Sequence, residues 1–249
     1  MDSYKRLNFI ADIAETMIRN GAETYRVEET IQFVLRKLTD NAGESFVSPT
    51  IIICTEICDG DIKTITRRIK GRGVNLNKVN LANDLSRRIT SGQVSMEEAI
   101  VELEDINKSD NYSLLQSLAT VFVCCGAFVF IFDGTYADTV AAGMIGVFLY
   151  AFREFLSRLQ MSNFVSDILG GALVSVLALL AVDLGIGRNL NAIIISAIML
   201  LVPGVTLANS FRDVLEGDYL SGMSRLLEAI FVAVCIAIGV GVVLRLGVL

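Results

Sequence analysis

The stretch LNAIIISAIMLLVPGVTLA, Leu190 to Ala208, is apolar from end to end except that Pro203 and Gly204 sit inside it. Pro203 has no N–H, so a helix running through it leaves the Met199 carbonyl without its partner. In lipid such a group costs several kcal/mol unless protein or water satisfies it. A broken apolar helix of this kind is a feature of transport sites.

Around this stretch the chain changes character at about residue 112. Residues 1–112 hold 15 Lys/Arg and 18 Asp/Glu, an ordinary soluble density, whereas 113–249 hold 6 and 9 over a longer length. This contrast predicts a polytopic α-helical membrane protein with a small cytoplasmic α/β domain (1–112) preceding a membrane domain (113–249). Five spans are expected, near 113–132, 136–152, 164–182, 190–208 and 226–244, each close to the ~20 residues that cross a bilayer. Asp167 falls inside the third. A central Asp costs about 2.5–3.5 kcal/mol, but roughly eleven large apolar residues at about −0.3 to −0.6 kcal/mol each outweigh it. Asp167 also lies near one end of the span, where the cost is smaller.

A net charge of −6 gives no basic footprint for nucleic acid. There is no histidine, which removes His-ligated zinc, a Ser-His-Asp triad and an imidazole proton relay. No cofactor is expected. Met1–Leu7 is polar, without an apolar signal region, so the head is expected to stay in the cytoplasm. Lys/Arg placement agrees: Arg153, Arg158, Arg212 and Arg225 fall in inside loops, Arg188 and Arg245 outside. With five spans the C-terminus lies outside the inner membrane.

In the head, Leu7, Ile10, Ala14, Met17 and Ile18 repeat at helical spacing and Gly21 follows as a C′ residue. Val27, Ile31, Val34, Leu35 and Leu38 mark a second helix. Thr50–Ile57 and Ile62–Ile69 read as a hairpin about Asp59-Gly60. Val79–Ile89 gives a third helix, and the Ser95…Glu98 capping box opens a fourth.

Several residues invite two readings. Cys54 and Cys58 share a strand face, but two thiolates make an incomplete metal site, so buried inert thiols are favoured. Arg67 to Arg72 suits either anionic headgroups or a solvated strand edge, the edge being favoured. The segment Gly21-Ala22-Glu23-Thr24-Tyr25-Arg26-Val27-Glu28 is a ligand loop or a plain Thr24 N-cap, and periodicity favours the cap. After the Pro203-Gly204 break, Val202, Thr206, Asn209 and Asp213 share a helical face, a polar stripe suited to a polar solute. The competing reading is a kinked structural helix followed by solvated loop charges. Asp167 is a candidate proton or cation contact. Glycines at 143, 146, 170, 171, 239 and 241 are expected to let helices pack closely.

Gly21 to Glu28, Ser95 to Ala99, and above all Leu201-Val202-Pro203-Gly204-Val205 continuing to Asn209, Asp213, Gly217-Asp218 and Gly222 resemble the bacterial threonine/serine exporter family. The resemblance implies a larger subunit of a two-chain exporter, with a smaller membrane subunit encoded separately. It implies export of threonine and serine, or of small dicarboxylates such as succinate. It marks Gly21, Arg26 and Glu28 as the head motif. No phosphate-binding Gly-Lys-Ser/Thr loop is present, so a proton-driven secondary exporter is expected. In that reading Pro203 and Gly204 expose backbone to the small-molecule substrate, Thr206 and Asn209 hydrogen-bond it, and Asp167 or Asp213 couples proton movement. The alternative from another class is a membrane-anchored sensor or assembly scaffold. A membrane enzyme is disfavoured, because no catalytic constellation appears at working spacing.

Overall fold

The computed structural model describes residues 3–39, 43–58, 61–109 and 112–247. In chain order its elements are α1 (Ser3–Arg19), α2 (Thr24–Thr39), β1 (Gly43–Val47), β2 (Ile51–Cys58), β3 (Asp61–Arg68), α3 (Leu76–Thr90) and α4 (Met96–Lys108). Then follow α5 (Leu114–Phe128) with a short 3₁₀ turn at Val129–Phe132, α6 (Tyr136–Arg158), α7 (Asn163–Asp183), α8 (Leu190–Ile198), α9 (Gly204–Leu215) and α10 (Tyr219–Gly247). The chain forms two compact units. Unit one is Met1–Asn111 with Gly204–Leu227; unit two is Tyr112–Pro203 with Glu228–Leu249.

Unit one is an antiparallel sheet, order β1-β2-β3, with helices packed on one face. Ile52 and Cys54 of β2 point into a core with Leu7, Ile10, Ile13, Met17, Leu35 and Leu85, all buried. Each such aliphatic side chain contributes roughly 1.5–3 kcal/mol of burial. Gly21 closes α1 at φ +93°, with Gly21 N–H donating to Ile18 and Ala22 N–H to Met17, the paired bonds of a Schellman ending. The Ser95–Glu98 capping box is present at α4. Strand β1 was not among the expected elements. The Asp59-Gly60 turn lies outside the described residues.

The expected head, 1–112, coincides with the first segment of unit one except for Tyr112, which belongs to unit two, and unit one also takes in Gly204–Leu227. The addition has a physical cause: the inward side chains of α9 and early α10 are polar and find their partners in that unit.

Unit two is helical. Ser113 and Thr135 begin α5 and α6 with capping boxes completed by Gln116 and Asp138. Glycines bring the helices together as expected. Gly143 lies on Phe122 and Gly146 on Cys125, and a Cβ on Gly171 would meet the Ile236 carbonyl at 2.8 Å. The outer surface exposes Val123, Phe148, Phe155, Leu180, Val234, Ile238 and Val242, far more apolar area than a soluble monomer tolerates.

Among the described residues, four helices are long and apolar enough to cross a membrane: Leu114–Phe132, Tyr136–Arg158, Asn163–Asp183 and Tyr219–Gly247. These cover the expected spans 113–132, 136–152, 164–182 and 226–244. The expected span 190–208 is not one helix. It divides into α8, a turn at 199–202, Pro203 and the start of α9. At nine residues α8 is about 13.5 Å long, short of the ~30 Å hydrocarbon thickness. The cause is Pro203: a helix cannot draw an N–H from it, and the chain ends α8 early, with Leu201 and Val202 N–H both donating to Ile198 O. From there α8 and its turn run back along α7, with Ile193 against Gly187 and Leu201 against Gly170. Helix α10 runs parallel to α7, since Phe231 meets Phe164 and Gly247 meets Leu179.

Candidate functional site

A buried polar cluster lies in unit one, where α9 and the first turns of α10 meet the loop between α1 and α2. The left-handed Gly21 turns the chain sharply, leaving the carbonyls of Gly21 and Ala22 and the amide of Thr24 without helical partners. Helix α9 answers them. Asn209 and Asp213, four residues apart, share its buried face. Asn209 Nδ2 donates to Gly21 O at 2.8 Å. Asp213, fully buried, accepts from Thr24 N at 2.9 Å and Thr24 Oγ1 at 3.1 Å. Arg225, also buried, places Nε 2.9 Å from Asp213 Oδ2 and donates from Nη2 to Ala22 O at 2.8 Å.

A second ion pair flanks the first. Arg212 Nη1 lies 2.5 Å from Oε1 of the buried Glu23, and Arg26 Nε lies 3.5 Å from its Oε2. Glu28 accepts from Val47 N at 2.8 Å. Burial pushes the Asp213 carboxyl above its ordinary range, against the pull of Arg225 and the Thr24 donors. Burial likewise raises Glu28, with Asp218 and Asp213 adding repulsion and the Val47 amide opposing. Asp218 is raised by burial and by Asp213 and Glu216. The cluster is thus a set of ionic and backbone bonds at the positive end of α2, where an anion is favoured.

Of the residues singled out from sequence, unit one brings Gly21, Arg26, Glu28, Asn209 and Asp213 into this neighbourhood. Gly204 opens α9 and Thr206 is half-buried one turn before Asn209, outside the hydrogen-bond network. Pro203 ends the first of unit two's two segments. Asp167 belongs to unit two, buried on α7, with Arg153 Nη2 3.5 Å from its Oδ1.

Thr24 does not act as a plain N-cap. Its amide and hydroxyl both donate to Asp213, so the capping anion comes from α9. Glu23, Arg212 and Arg225 complete the cluster and were not singled out from sequence. Glu23 carried a signal, being inside the quoted motif; Arg225 looked like a topological charge ahead of an apolar stretch. Cys54 is buried in the core, which pushes its thiol up to about 12, as an inert cysteine requires. Cys58 ends β2, and its side chain lies outside the described residues. Arg67 and Arg68 sit on β3, a sheet edge, as the edge reading expects.

Residues 8–247 match the family described as "Putative threonine/serine exporter". The chain is similar to a Mycobacterium tuberculosis protein named "Probable threonine/serine exporter", 25% identical over 97% of this chain and 46% of that protein. It thus spans about half the length of that relative. It is also similar to the Escherichia coli protein named "Probable succinate transporter subunit YjjP", 25% identical over 92% of this chain and 89% of that protein. A Pichia sorbitophila protein named "Pheromone-regulated membrane protein 10" is 24% identical over 96% of this chain and 24% of its own length. No solved structure matches.

Proposed function

The chain belongs to the threonine/serine exporter family, and from that membership we propose that it is the head-bearing subunit of a proton-coupled secondary exporter of small polar metabolites, threonine and serine first. The observation that carries this reading is the cluster just described. A helix that begins directly after a proline break in an apolar run presents Asn209 and Asp213, and both are bound by the Gly21–Glu28 motif of the head. An anchor needs neither the break nor buried charges beside it.

In this proposal unit two lies in the inner membrane with 1–112 in the cytoplasm. Helix α8 and its turn, running back along α7 without themselves reaching the ~30 Å of the hydrocarbon layer, return the chain toward the cytoplasmic side, and the C-terminus emerges on the opposite side. Transporters pair repeats around a central site, and a five-crossing module calls for a second half. A separately encoded small membrane subunit supplies it. The backbone around Pro203-Gly204, with Thr206 and Asn209, handles the substrate, and a buried carboxylate, Asp167 or Asp213, carries the proton. The "succinate transporter subunit" name of one relative supports a second substrate class, small dicarboxylates.

The test is efflux of labelled threonine, serine and succinate from cells making this chain with and without the small subunit. Efflux requires both chains, and Pro203→Ala with Asn209→Ala abolishes it at unchanged membrane abundance. Undiminished efflux in that variant removes the α8–α9 break from the mechanism.

A further inference from the structure

A cavity of about 360 Å³ in unit one adjoins the cluster, between the start of α2, one face of α3 and one face of α9. Its polar lining is Glu23, Arg26, Asn80, Asn83, Asn209 and Arg212, and its apolar lining includes Val79, Val205 and Ala208. Two guanidiniums face one carboxylate, so the lining carries one net positive charge. Each arginine spends a single nitrogen on Glu23, and their side chains are 43% and 58% exposed. A guanidinium has five N–H donors in a planar fork, so most of both forks is free among the described residues for a carboxylate ligand. Glu23 Oε1 accepts from Arg212 and Oε2 only faces Arg26 at 3.5 Å, while a carboxylate has about four lone-pair sites. It therefore keeps acceptor capacity for an ammonium group. Asn209 has committed Nδ2 to Gly21 and keeps its amide oxygen, while Asn80 and Asn83 bring further amides.

We propose that this cavity binds a free α-amino acid with a short, hydroxyl-bearing side chain. Its carboxylate lies on Arg26 and Arg212, its ammonium on Glu23, its hydroxyl among the asparagine amides, and its methylene or methyl on Val205 and Ala208. The inference rests on the exporter reading for the class of ligand and assigns a site in unit one that shares Asn209 with the proposed transport path. The volume is at the small end of ligand pockets, which suits a metabolite rather than a nucleotide. Among the described residues no aromatic ring lines it to stack a base. A dicarboxylate is rejected by charge, since its second carboxylate meets Glu23.

The test is calorimetric titration of the detergent-purified full chain with threonine, serine and succinate. Threonine and serine are expected to bind at one site per chain, succinate more weakly or not at all. Asn83→Leu and, separately, the milder Asn80→Ala should weaken threonine binding, the former by about tenfold or more if a hydrogen bond to the ligand is lost. Absence of saturation at millimolar threonine while cells still export it overturns the inference and leaves the exporter reading standing. Succinate binding in preference to threonine, or an unchanged Kd in both asparagine variants, also overturns it. Threonine binding by a chain that supports no efflux upholds the cavity and sinks the exporter reading instead.

Discussion

Asp213→Ala puts the cluster to the sharpest test, because two opposing effects meet there. Burial raises the Asp213 pKa, so the ionised carboxylate is held at some cost relative to water. Removing it would be favourable if Arg225 were not buried beside it with Nε 2.9 Å away. Deleting one partner of a buried pair strands the other, which costs about 3–5 kcal/mol. Losing the acceptor for Thr24 N and Oγ1 adds about 1 kcal/mol, the usual worth of a helix cap. The stranded guanidinium therefore dominates, and the variant is destabilised at the α1–α2 loop. Hydrogen exchange over Gly21–Val27 reads this directly. The Ala22 amide, bonded to Met17 O, and the Val27 amide, bonded to Glu23 O, do not touch the mutated side chain. Both should exchange about a hundredfold faster or more, at 1.4 kcal/mol per decade. Asp213→Leu combined with Arg225→Met removes both charges and should recover most of the protection, since apolar replacement of a whole buried pair is close to neutral. Unchanged exchange in Asp213→Ala would refute the claim that this pair holds the loop.

Glu28→Gln keeps an oxygen for the Val47 amide but removes a charge whose folded pKa is raised. A raised carboxyl contributes stability below its unfolded pKa and loses it as pH rises through the folded value. The variant should therefore unfold at a higher temperature than the parent at neutral pH, and the gain should vanish below the ordinary value of 4.5. Gly171→Leu drives a side chain into the Ile236 carbonyl and should cost about 1–3 kcal/mol or more, seen as a lower unfolding midpoint, whereas Gly241→Ala, which faces open space, should leave it unchanged. A reporter fused after Leu249 should show an extracytoplasmic C-terminus; cytoplasmic signal would mean that α8 and its turn do not return the chain to the cytoplasmic side.

Local signals were legible and distant ones were not. The helical stripes of α1–α4, the Gly21 ending and the Ser95 capping box are written within a few residues of one another. The Pro203 break is visible too, but residues 190–208 are apolar on both sides of the proline, so composition alone does not separate them. Strand β1 left little trace because Gly43, Glu44 and Ser45 give no apolar alternation, and its pairing comes from the backbone of β2. Asp213 and Thr24 are 189 residues apart, and a single long-range polar pair leaves no periodicity. The pattern Thr135-x-x-Asp138 was available as a capping box, but nothing local indicated that Asp138 would also receive the amides of Arg188 at 2.6 Å and Asn189 at 3.0 Å.

Three buried aspartates can be ordered by what holds their charge, and the order bears on which one carries a proton in the proposed exporter. Asp138 accepts four donors, from Thr135 N, Thr135 Oγ1, Arg188 N and Asn189 N, all on fixed backbone or its own cap. Neutralising it would undo the junction of α6 with the α7–α8 loop. Asp213 accepts two donors from Thr24 and faces Arg225, so its protonation would loosen the head loop as well. Asp167 is different: its Oδ1 has no hydrogen-bond partner among the described residues, and its cation, on Arg153, stands 3.5 Å off and partly exposed. A charge so thinly compensated has the least structure to lose when it takes a proton, and the partly exposed guanidinium beside it gains a free fork when it does. Between the two carboxylates that the sequence left open, this argues for Asp167 as the coupling group and for Asp213 as the tie between α9 and the head motif.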